Sequence, residues 1–393
     1  MFIQKRSSQF LTIIKIFFTL HLSVIYFLSG FTKRKKNIWI FGSYHDTFSD
    51  NSKYFFQYIK KNDNEIEAYW VTNSNSIFRY LKGKGFNVLK KYSLKSFYYG
   101  LKAKVIIISS YRNNVNAYVI RNAFIVNLWH GIPLKNIEYD IPSDFNDDFL
   151  KKRNFFRKLS YIFPIYKLHY NLLIASSEII RNILARAFKI SLDQIAITGE
   201  PASDILINKM NNNENKYISY LPTFRSNRNY NYFQTDFEPA KWEKTLKEMN
   251  LLLKIKLHPN EKTKIENYKS KFMKYNRIQF ACNDEDVYEL LLSTKVLITD
   301  YSSIMFDFSL TQKPIVFLAP DLREYLISER PMYFNYEELT GNNIFHDWES
   351  LRQYFENNKN LEIKRNSILI NKLNKYSDGF SCKRVYEEIN SRI

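Results

Sequence analysis

The chain has 393 residues, of which 45% are hydrophobic and 17% aromatic, a composition that excludes a disordered protein and suffices for two domains. Its nine glycines form no complete dinucleotide-binding fingerprint and its two cysteines form no disulfide framework, so no cofactor is firmly implied, and a divalent-metal requirement stays open. The formal net charge of +19 suits an anionic membrane surface or, as the rival explanation, nucleic acid.

The first 36 residues combine positive charge with an apolar stretch. Seven basic residues and no acidic residue lie in this region, and the mostly apolar run Phe10 to Phe31 lies between them. We predict a membrane-associating segment at 1–36 that either spans the bilayer once or lies in its interface, and an ordinary buried helix is the remaining alternative. The basic cluster at 33–36 favours an anionic leaflet and places the following domain at the cytoplasmic face of the cell membrane, peripheral or anchored by a single span.

From Asn37 onwards, short apolar runs alternate with amphipathic stretches of helical length. Near-continuous β-branched sequences indicate strands that are buried on both faces, and hence a parallel sheet covered by helices. The first series contains six such runs: Ile38–Gly42, Ala68–Thr72, Val105–Ser109, Phe124–Leu128, Leu172–Ser176 and Ile195–Gly199. This series predicts one α/β domain over residues 37–208.

A polar stretch at 209–216 is the predicted linker to a second α/β domain at 217–393, whose last helix is able to cross back to the first. The second series contains four strand-like runs: Tyr217–Leu221, Leu252–Leu257, Val296–Thr299 and Ile315–Leu318. We therefore expect an α/β protein with two facing, doubly wound domains. Binding sites in such folds lie at the carboxyl ends of the strands.

Histidines follow one predicted strand in each series. His130 and Gly131 come shortly after the run ending at Leu128, with Lys135 nearby, and His258 follows the run ending at Leu257. Histidine is a ready general base near neutral pH, glycine allows a ligand to approach the backbone, and lysine offers charge to a phosphate. A hydrogen-bonded loop histidine is the alternative for either position alone, but the repetition favours function.

Hydroxyl and charged side chains follow two other strands of the second series. Thr223 and Arg225 offer a hydroxyl and a guanidinium suited to phosphate oxygens, although a turn with a surface arginine is an equal alternative. Asp300, Ser302 and Ser303 connect a buried strand to a helix-like run. The amino end of a helix attracts anions, whereas simple capping by serine is the alternative.

Other charged positions carry weaker signals. Lys313 precedes a strand and is either a phosphate contact or a solvated lysine. The acidic triplet 284–286 resembles a metal-binding sequence, but it stands where a helix begins, so capping is the better interpretation. Asp144, Asp147 and Asp148 make an equally weak case, and no metal site is predicted.

Together these segments resemble the CDP-glycerol glycerophosphotransferase family, the teichoic-acid primases and polymerases of bacterial envelopes. The similarity runs in order from about residue 100 to 390. The matching sequences are Trp129 to Lys135, Pro222 to Arg225, His258-Pro259, Leu297 to Ser303, Phe306-Asp307, Lys313-Pro314, Phe317, Asp321, and Asp378-Gly379 with Arg384.

The resemblance implies a GT-B fold, with two Rossmann-like domains and the active site between them. It implies transfer of glycerol phosphate from CDP-glycerol, or of a related alditol phosphate from CDP-ribitol, to a membrane-bound, polyprenyl-linked glycan or a teichoic or capsular acceptor, with release of CMP. His130 and His258 match the family's important histidines, one of which would be the base. The residues expected to contact the donor or its phosphates are Thr223, Arg225, Asp300, Ser302, Ser303, Asp307 and Lys313, with Gly131 and Lys135 as weaker candidates.

Two other functions stay open at this point. A GT-B glycosyltransferase would use a nucleotide sugar instead of a CDP-alditol. A non-enzymatic protein would bind nucleic acid or a membrane surface through its basic charge. No nucleic acid partner is expected, because the basic residues beyond the first segment are scattered and no known nucleic-acid-binding sequence appears.

Overall fold

Two parallel β-sheets with accompanying helices make up the described part of the chain. The computed structural model describes residues 21–143, 145, 158, 160, 169–210, 215–225, 227, 229–234, 236–282, 285–341, 343–359, 361 and 372–393. Parts of several predicted features lie outside these ranges: residues 1–20 of the membrane segment, 211–214 of the linker, and the carboxylates of Asp144, Asp147, Asp148 and Asp284.

The first sheet and its helices come from the amino-terminal half of the chain. Its strands are β1 Lys35–Phe41, β2 Glu67–Thr72, β3 Val88–Lys90, β4 Ala103–Ile108, β5 Phe124–Asn127, β6 Leu172–Ala175 and β7 Ile195–Ile197. Its helices are α1 at 21–29, α2 Asp50–Asn62, α3 Asn75–Gly83, α4 Leu94–Lys102, α5 Glu178–Phe188 and α6 Ser203–Lys209. The strand order is β3-β2-β1-β4-β5-β6-β7, and every pairing is parallel.

The second sheet follows in the carboxyl-terminal half. Its strands are β8 Tyr217–Leu221, β9 Leu252–Ile255, β10 Ile278–Phe280, β11 Thr294–Thr299, β12 Ile315–Leu318 and β13 Ile344–Phe345. The helices of this half are α7 Pro239–Glu248, α8 Lys262–Phe272, α9 Val287–Leu292, α10 Ile304–Ser309, α11 Leu322–Ser328, α12 Tyr336–Thr340, α13 Trp348–Asn357 and α14 Ser381–Asn390. The order is β10-β9-β8-β11-β12-β13, again with parallel pairing throughout.

The predicted strands are confirmed, because each of the ten apolar runs contains an observed strand. The sequence pattern missed β3, β10 and β13, which have only two or three residues each. The domain boundaries stay a prediction. Helix α6 ends at Lys209 and β8 begins at Tyr217.

Each sheet has a point where the strand order reverses. It lies between β1 and β4 in the first sheet and between β8 and β11 in the second. The loops that leave the two neighbouring strands diverge there, which opens a crevice at their carboxyl ends. The Tyr44 amide donates to Ser109 Oγ across the first crevice (3.1 Å), and the Thr223 amide donates to Asp300 Oδ1 across the second (2.7 Å).

One hydrophobic cluster joins the two halves. It contains Trp129 and Ile132 from the loop after β5 together with Tyr301 and Met305 from the region of α10. Burial of such side chains stabilises the contact between the halves by about 1.5–3 kcal/mol each. The carboxyl-terminal helix α14 packs on the outer side of the first sheet, where its Val385 belongs to the same cluster as the β1 and α2 side chains.

The described part of the membrane-associating segment is a short helix, α1, followed by a turn. The Arg34 guanidinium holds this turn against the first half by donating to the carbonyl oxygens of Gly100 (2.9 Å) and Ala103 (2.7 Å). Four apolar side chains stay largely exposed beside it: Val24, Phe27, Leu28 and Phe31. Within the described ranges, no helix combines the length and apolar character needed to cross a bilayer.

Candidate functional site

The loop after β5 carries His130 at the carboxyl end of the first sheet. Buried Asn127 accepts a hydrogen bond from the Trp129 amide (2.9 Å), which fixes the start of the loop. Buried Asn51, from α2, donates to the Leu128 carbonyl (3.0 Å) and more weakly to that of Trp129 (3.3 Å). The imidazole is therefore presented from a loop that two side-chain amides hold in place.

The hydrogen bonding of His130 defines which ring nitrogen is basic. Its Nδ1 lies 3.0 Å from the Ser109 carbonyl oxygen. A carbonyl oxygen only accepts, so Nδ1 carries the proton and Nε2 holds the lone pair of the neutral ring. The ring is exposed and stacks on Tyr44, with centroids 5.7 Å apart and planes 8° from parallel. His130 is thus arranged to accept a proton at Nε2.

Two residues that the sequence analysis missed lie in this region. The His45 ring is 3.8 Å from that of Tyr44. Burial raises the pKa of the Asp50 carboxyl, and the neighbouring His130 opposes this rise, so a positive charge on the imidazole would favour the ionised form of Asp50. His45 and Asp50 both adopt left-handed backbone conformations, with φ of 54° and 60°, and such strain concentrates at functional sites. His45 follows the first strand, so the strand-end criterion used for His130 would have identified it.

His258 faces the same region from the second half with the opposite hydrogen-bonding sense. Its Nδ1 accepts a hydrogen bond from the Asn260 amide (3.2 Å), so Nε2 carries the proton of the neutral ring. Partial burial lowers the pKa of His258, and the nearby His45 lowers it further. His45 of the first half is thus close enough to His258 of the second to act on its pKa.

Ser303 and Gly131 bring the two halves together close to His130. Ser303 stands at the amino end of α10, and its side chain forms no capping hydrogen bond, whereas Ser302 Oγ accepts a weak one from the Ile304 amide (3.5 Å). Gly131 has φ of 118°, and a Cβ atom placed on it would lie 3.7 Å from Ser303 Oγ. Ser302 and Ser303 are both partly exposed. The Ser303 hydroxyl therefore lines the space in front of the His130 loop.

Thr223, Arg225 and Asp300 bind one another instead of presenting free groups. Buried Arg225 donates to Asp300 Oδ2 (2.8 Å), to Asp321 Oδ2 (2.8 Å) and to the Thr223 carbonyl (2.7 Å). Asp300 Oδ1 in turn accepts from the Thr223 amide (2.7 Å) and hydroxyl (2.6 Å). The expected phosphate-binding fork of Arg225 is thus occupied by carboxylates, and we call these three residues and Asp321 the Arg225 network.

Lys135 crosses from the first half to the second. Its Nζ donates to Tyr325 Oη on α11 and lies 3.8 Å from Glu329 Oε2. Burial lowers the pKa of Lys135 to about 8, and the charges of Asp300 and Arg225 also act on it. Lys135 therefore lies beside the Arg225 network, where it helps to join the halves.

Asp307 lies behind the cleft, in a buried contact between the halves. Asp307 Oδ1 accepts from Ser203 Oγ (3.1 Å) and Tyr288 Oη (3.3 Å). Glu200 is buried nearby, and its Oε2 accepts from Asn51 Nδ2 (3.0 Å). Burial, and secondarily the charge of Asp307, raises the pKa of Glu200 to about 8.

Lys313 lies at the other end of the second sheet from the histidines. Its Nζ donates to the Thr294 carbonyl (2.8 Å) at the start of β11 and to Asn215 Oδ1 (2.6 Å). Lys313 therefore does not lie at the cleft. It contacts the first residue of β11, whereas Ser302 and Ser303 follow the last residue of that strand.

The arrangement is suited to proton transfer beside a bound anion. The first half supplies a basic Nε2 on His130 with the Asp50 carboxylate nearby, and the second supplies the Nε2–H of His258 and the hydroxyls of Ser302 and Ser303. Among the described residues, no group of three or more His, Cys, Asp or Glu side chains is arranged to hold a metal ion.

Comparison with solved structures identifies the same architecture elsewhere. The wall teichoic acid polymerase TagF matches 98% of this chain and 97% of its own with a TM-score of 0.70 and 22% identity. A variant of that enzyme soaked with CDPG matches with a TM-score of 0.74 and 21% identity over the same shares. These matches confirm the predicted α/β fold class with its GT-B arrangement.

Comparison of sequences gives the family. The chain is 26% identical to the teichoic acid poly(glycerol phosphate) polymerase of Bacillus spizizenii over 93% of this chain and 95% of the relative. It is also 26% identical to the teichoic acid glycerol-phosphate transferase of Staphylococcus aureus, over 90% and 93%. The family model described as CDP-glycerol:poly(glycerophosphate) glycerophosphotransferase matches residues 24–391. The predicted resemblance is confirmed, and the chain belongs to this family of transferases.

Proposed function

We propose that the protein transfers glycerol phosphate from CDP-glycerol to a hydroxyl of a membrane-bound, polyprenyl-linked teichoic or capsular acceptor. The acceptor oxygen forms a bond to the phosphorus that carries glycerol, the bond from that phosphorus to the CMP oxygen breaks, and CMP leaves. The names of the relatives support glycerol phosphate as the transferred group, and a ribitol phosphate donor is a variant of the same reaction. Primase and polymerase activity are both compatible with the site.

The opposite hydrogen-bonding senses of the two histidines support this assignment most directly. His130 has its lone pair at Nε2 and takes the proton of the acceptor hydroxyl. His258 has its proton at Nε2 and donates to a phosphate oxygen of the donor. The sequence alone allowed either histidine to be the base, whereas these contacts favour His130.

The remaining groups position and stabilise the donor. Ser302 and Ser303 offer hydroxyls to the diphosphate in front of Gly131. Phosphoryl transfer depends mainly on positioning and charge stabilisation. The carboxylate of Asp50 stabilises the imidazolium that forms on His130 during the reaction. Arg225, Asp300 and Thr223 act indirectly, because the Arg225 network shapes the loop that precedes Ser302.

We also propose that the enzyme works at the cytoplasmic face of the membrane, attached peripherally or through a single span. The exposed apolar side chains at 24–31 and the exposed lysines Lys33, Lys35 and Lys36 support contact with an anionic leaflet. An acceptor carried on a lipid would then be concentrated on the same surface.

Donor screening tests the proposed reaction. Purified protein is incubated with a lipid-linked acceptor and, in parallel, with radiolabelled CDP-glycerol, CDP-ribitol or a UDP-sugar. We expect stoichiometric CMP release and a new phosphodiester in the acceptor with a CDP-alditol. Release of UDP with a glycosidic product, and no CMP from either CDP-alditol, would assign the chain to glycosyl transfer instead.

A further inference from the structure

A cationic cavity lies at the opposite end of the first sheet from His130. Its volume is about 470 Å³, and its lining includes Lys104, Arg112 and Arg121. Phe124, the first residue of β5, also lines it, whereas His130 follows the last residue of that strand. The cavity is therefore separate from the transfer site.

The cavity carries positive charge without a compensating acid. No carboxylate belongs to its described lining. Lys104 and Arg121 are partly exposed, and neither side chain forms an ion pair or a hydrogen bond with another described residue. Cationic side chains left unpaired around a concave surface attract an anion.

Arg112 adds a buried, incompletely satisfied donor. It is only 7% exposed and donates to Tyr26 Oη (3.2 Å) and to the His169 carbonyl (3.2 Å). Its Nε–H has no partner among the described residues. A buried guanidinium that keeps an unused donor is costly unless a ligand pairs with it. A phosphate would provide the missing negative charge.

The apolar surface beside the cavity indicates a lipid as the source of that phosphate. Tyr26 of α1 lines the cavity, and the Arg121 guanidinium lies 4.5 Å from the centre of the Phe27 ring. On the same helix Phe27 is 51% and Leu28 58% exposed. A free phosphate or a polar glycerol phosphate polymer would gain nothing from these side chains, whereas a phospholipid offers acyl chains next to its headgroup.

We propose that this cavity binds the phosphate headgroup of an anionic phospholipid, such as phosphatidylglycerol, while α1 rests in the acyl region beside it. The inference deepens the proposed membrane association and rests on it. It assigns specific lipid recognition to Lys104, Arg112 and Arg121, in addition to the general attraction of exposed lysines.

Vesicle co-sedimentation tests the assignment. The full-length chain and a Lys104→Gln/Arg121→Gln variant are compared on vesicles of phosphatidylcholine alone and of an equimolar mixture with phosphatidylglycerol. Both replaced side chains are partly exposed, so folding should be retained. Each cation near an anionic surface raises the vesicle partition coefficient by about fivefold. We therefore expect the loss of both to lower partitioning to the mixed vesicles by about 10- to 30-fold. The matched control, Lys82→Gln/Lys84→Gln, removes two exposed charges at the end of α3 and should change partitioning by less than about threefold.

Several results would overturn the proposal. Equal losses of vesicle partitioning in the variant and the control would show that the cavity contributes only general surface charge. Variant-sensitive binding of inorganic phosphate or of soluble poly(glycerol phosphate), with vesicle partitioning unchanged by the substitutions, would assign the cavity to a free anion or to the polymer. CMP release from CDP-glycerol with a detergent-solubilised acceptor is measured on the same preparations. Its rate should be the same for the Lys104→Gln/Arg121→Gln variant and the unmodified protein. Loss of that activity in the unmodified protein would refute the proposed reaction and leave the vesicle result standing.

Discussion

The loops at the two crevices, one in each sheet, use their polar side chains in different ways. In the first sheet, the His130 loop is fixed by asparagines and leaves an exposed imidazole with a free Nε2. In the second, buried Arg225 donates hydrogen bonds to Asp300, Asp321 and the Thr223 carbonyl. A polar residue at a strand end is thus either offered to a ligand or used to build the loop that holds other ligand-binding groups. Only its hydrogen-bond partners distinguish the two uses.

The largest effect on stability expected from this comparison concerns Arg225. Replacing Arg225 with methionine leaves the buried carboxylate of Asp300 and the partly exposed one of Asp321 without their cation, and breaking a buried ion pair typically costs about 3–5 kcal/mol. Urea unfolding measures the loss. Lys241→Met is the matched control, because Lys241 pairs with Glu238 on the surface and such pairs contribute about 0–1 kcal/mol. A loss no larger than that of the control would show that Arg225 does not support the loop.

In the first half of the molecule, Asp50→Asn should slow the reaction. The substitution removes the negative charge that stabilises the imidazolium on His130, and we expect a kcat about 10- to 100-fold lower, or about 1.4–2.7 kcal/mol. The KM for CDP-glycerol should change by less than about twofold. Glu65→Gln, which removes an exposed acid of the same half, should leave kcat unchanged. A kcat of Asp50→Asn equal to that of the control would separate Asp50 from the chemistry.

The buried contact behind the cleft predicts a pH effect on stability. Glu200 ionises near 4.5 in the unfolded chain, but burial keeps it protonated in the folded protein up to about pH 8. The folded state therefore binds the extra proton, and this contribution to stability is complete below pH 4.5 and is lost as the pH rises towards 8.

Glu200→Gln tests this effect and keeps the hydrogen bond from Asn51. The free energy of unfolding of the variant, relative to the unmodified protein, should increase with pH by at most about 1.4 kcal/mol per unit between about pH 5 and 8. Parallel pH profiles for the two proteins would mean that Glu200 is ionised in the fold.

The smallest expected effect concerns the donor. Ser303→Ala removes one hydroxyl from the proposed diphosphate contact, and a neutral hydrogen bond contributes about 0.5–1.5 kcal/mol. We expect KM for CDP-glycerol to rise by about 2- to 10-fold, measured by initial rates of CMP release. Ser391→Ala, an exposed serine at the carboxyl terminus, is the control. An unchanged KM in the Ser303 variant would remove this hydroxyl from the donor site.

Much of the fold follows from local patterns in the sequence. Residues Val105 to Ile108 of the predicted run Val105–Ser109 are apolar at successive positions because both faces of a central strand are buried, and every predicted run contains a strand. The edge strands β3, β10 and β13 could not be found in the same way. β3 and β10 have three residues that include a polar one, Lys90 or Gln279, and β13 has only two residues. The equally short edge strand β7 was found because Ile195–Ile197 is apolar throughout.

The candidate site was less accessible to sequence reasoning. The strand-end rule identified His130 and His258, and applied to the first strand it would also have identified His45. The rule could not show that Ser303 lies at the cleft and Lys313 does not. Lys313 donates to the Thr294 carbonyl instead, and that contact is formed only in the folded protein. Asp50 gave no signal, because an acidic residue at the start of a helix is ordinary, and its proximity to His130 arises only on folding.

The most direct test of the account compares catalysis with donor binding in His130→Ala. If Nε2 of His130 takes the acceptor's proton, kcat for CMP release should fall by about 10²- to 10⁴-fold, while the dissociation constant for CDP-glycerol stays within about twofold. His346→Ala is the matched control, because Nδ1 of His346 also lies near a carbonyl oxygen, that of Ala319 (3.1 Å). His346 follows the edge strand β13 of the second sheet, so the kcat of this variant should equal that of the unmodified protein. Turnover by His130→Ala within tenfold of the unmodified protein would contradict the account.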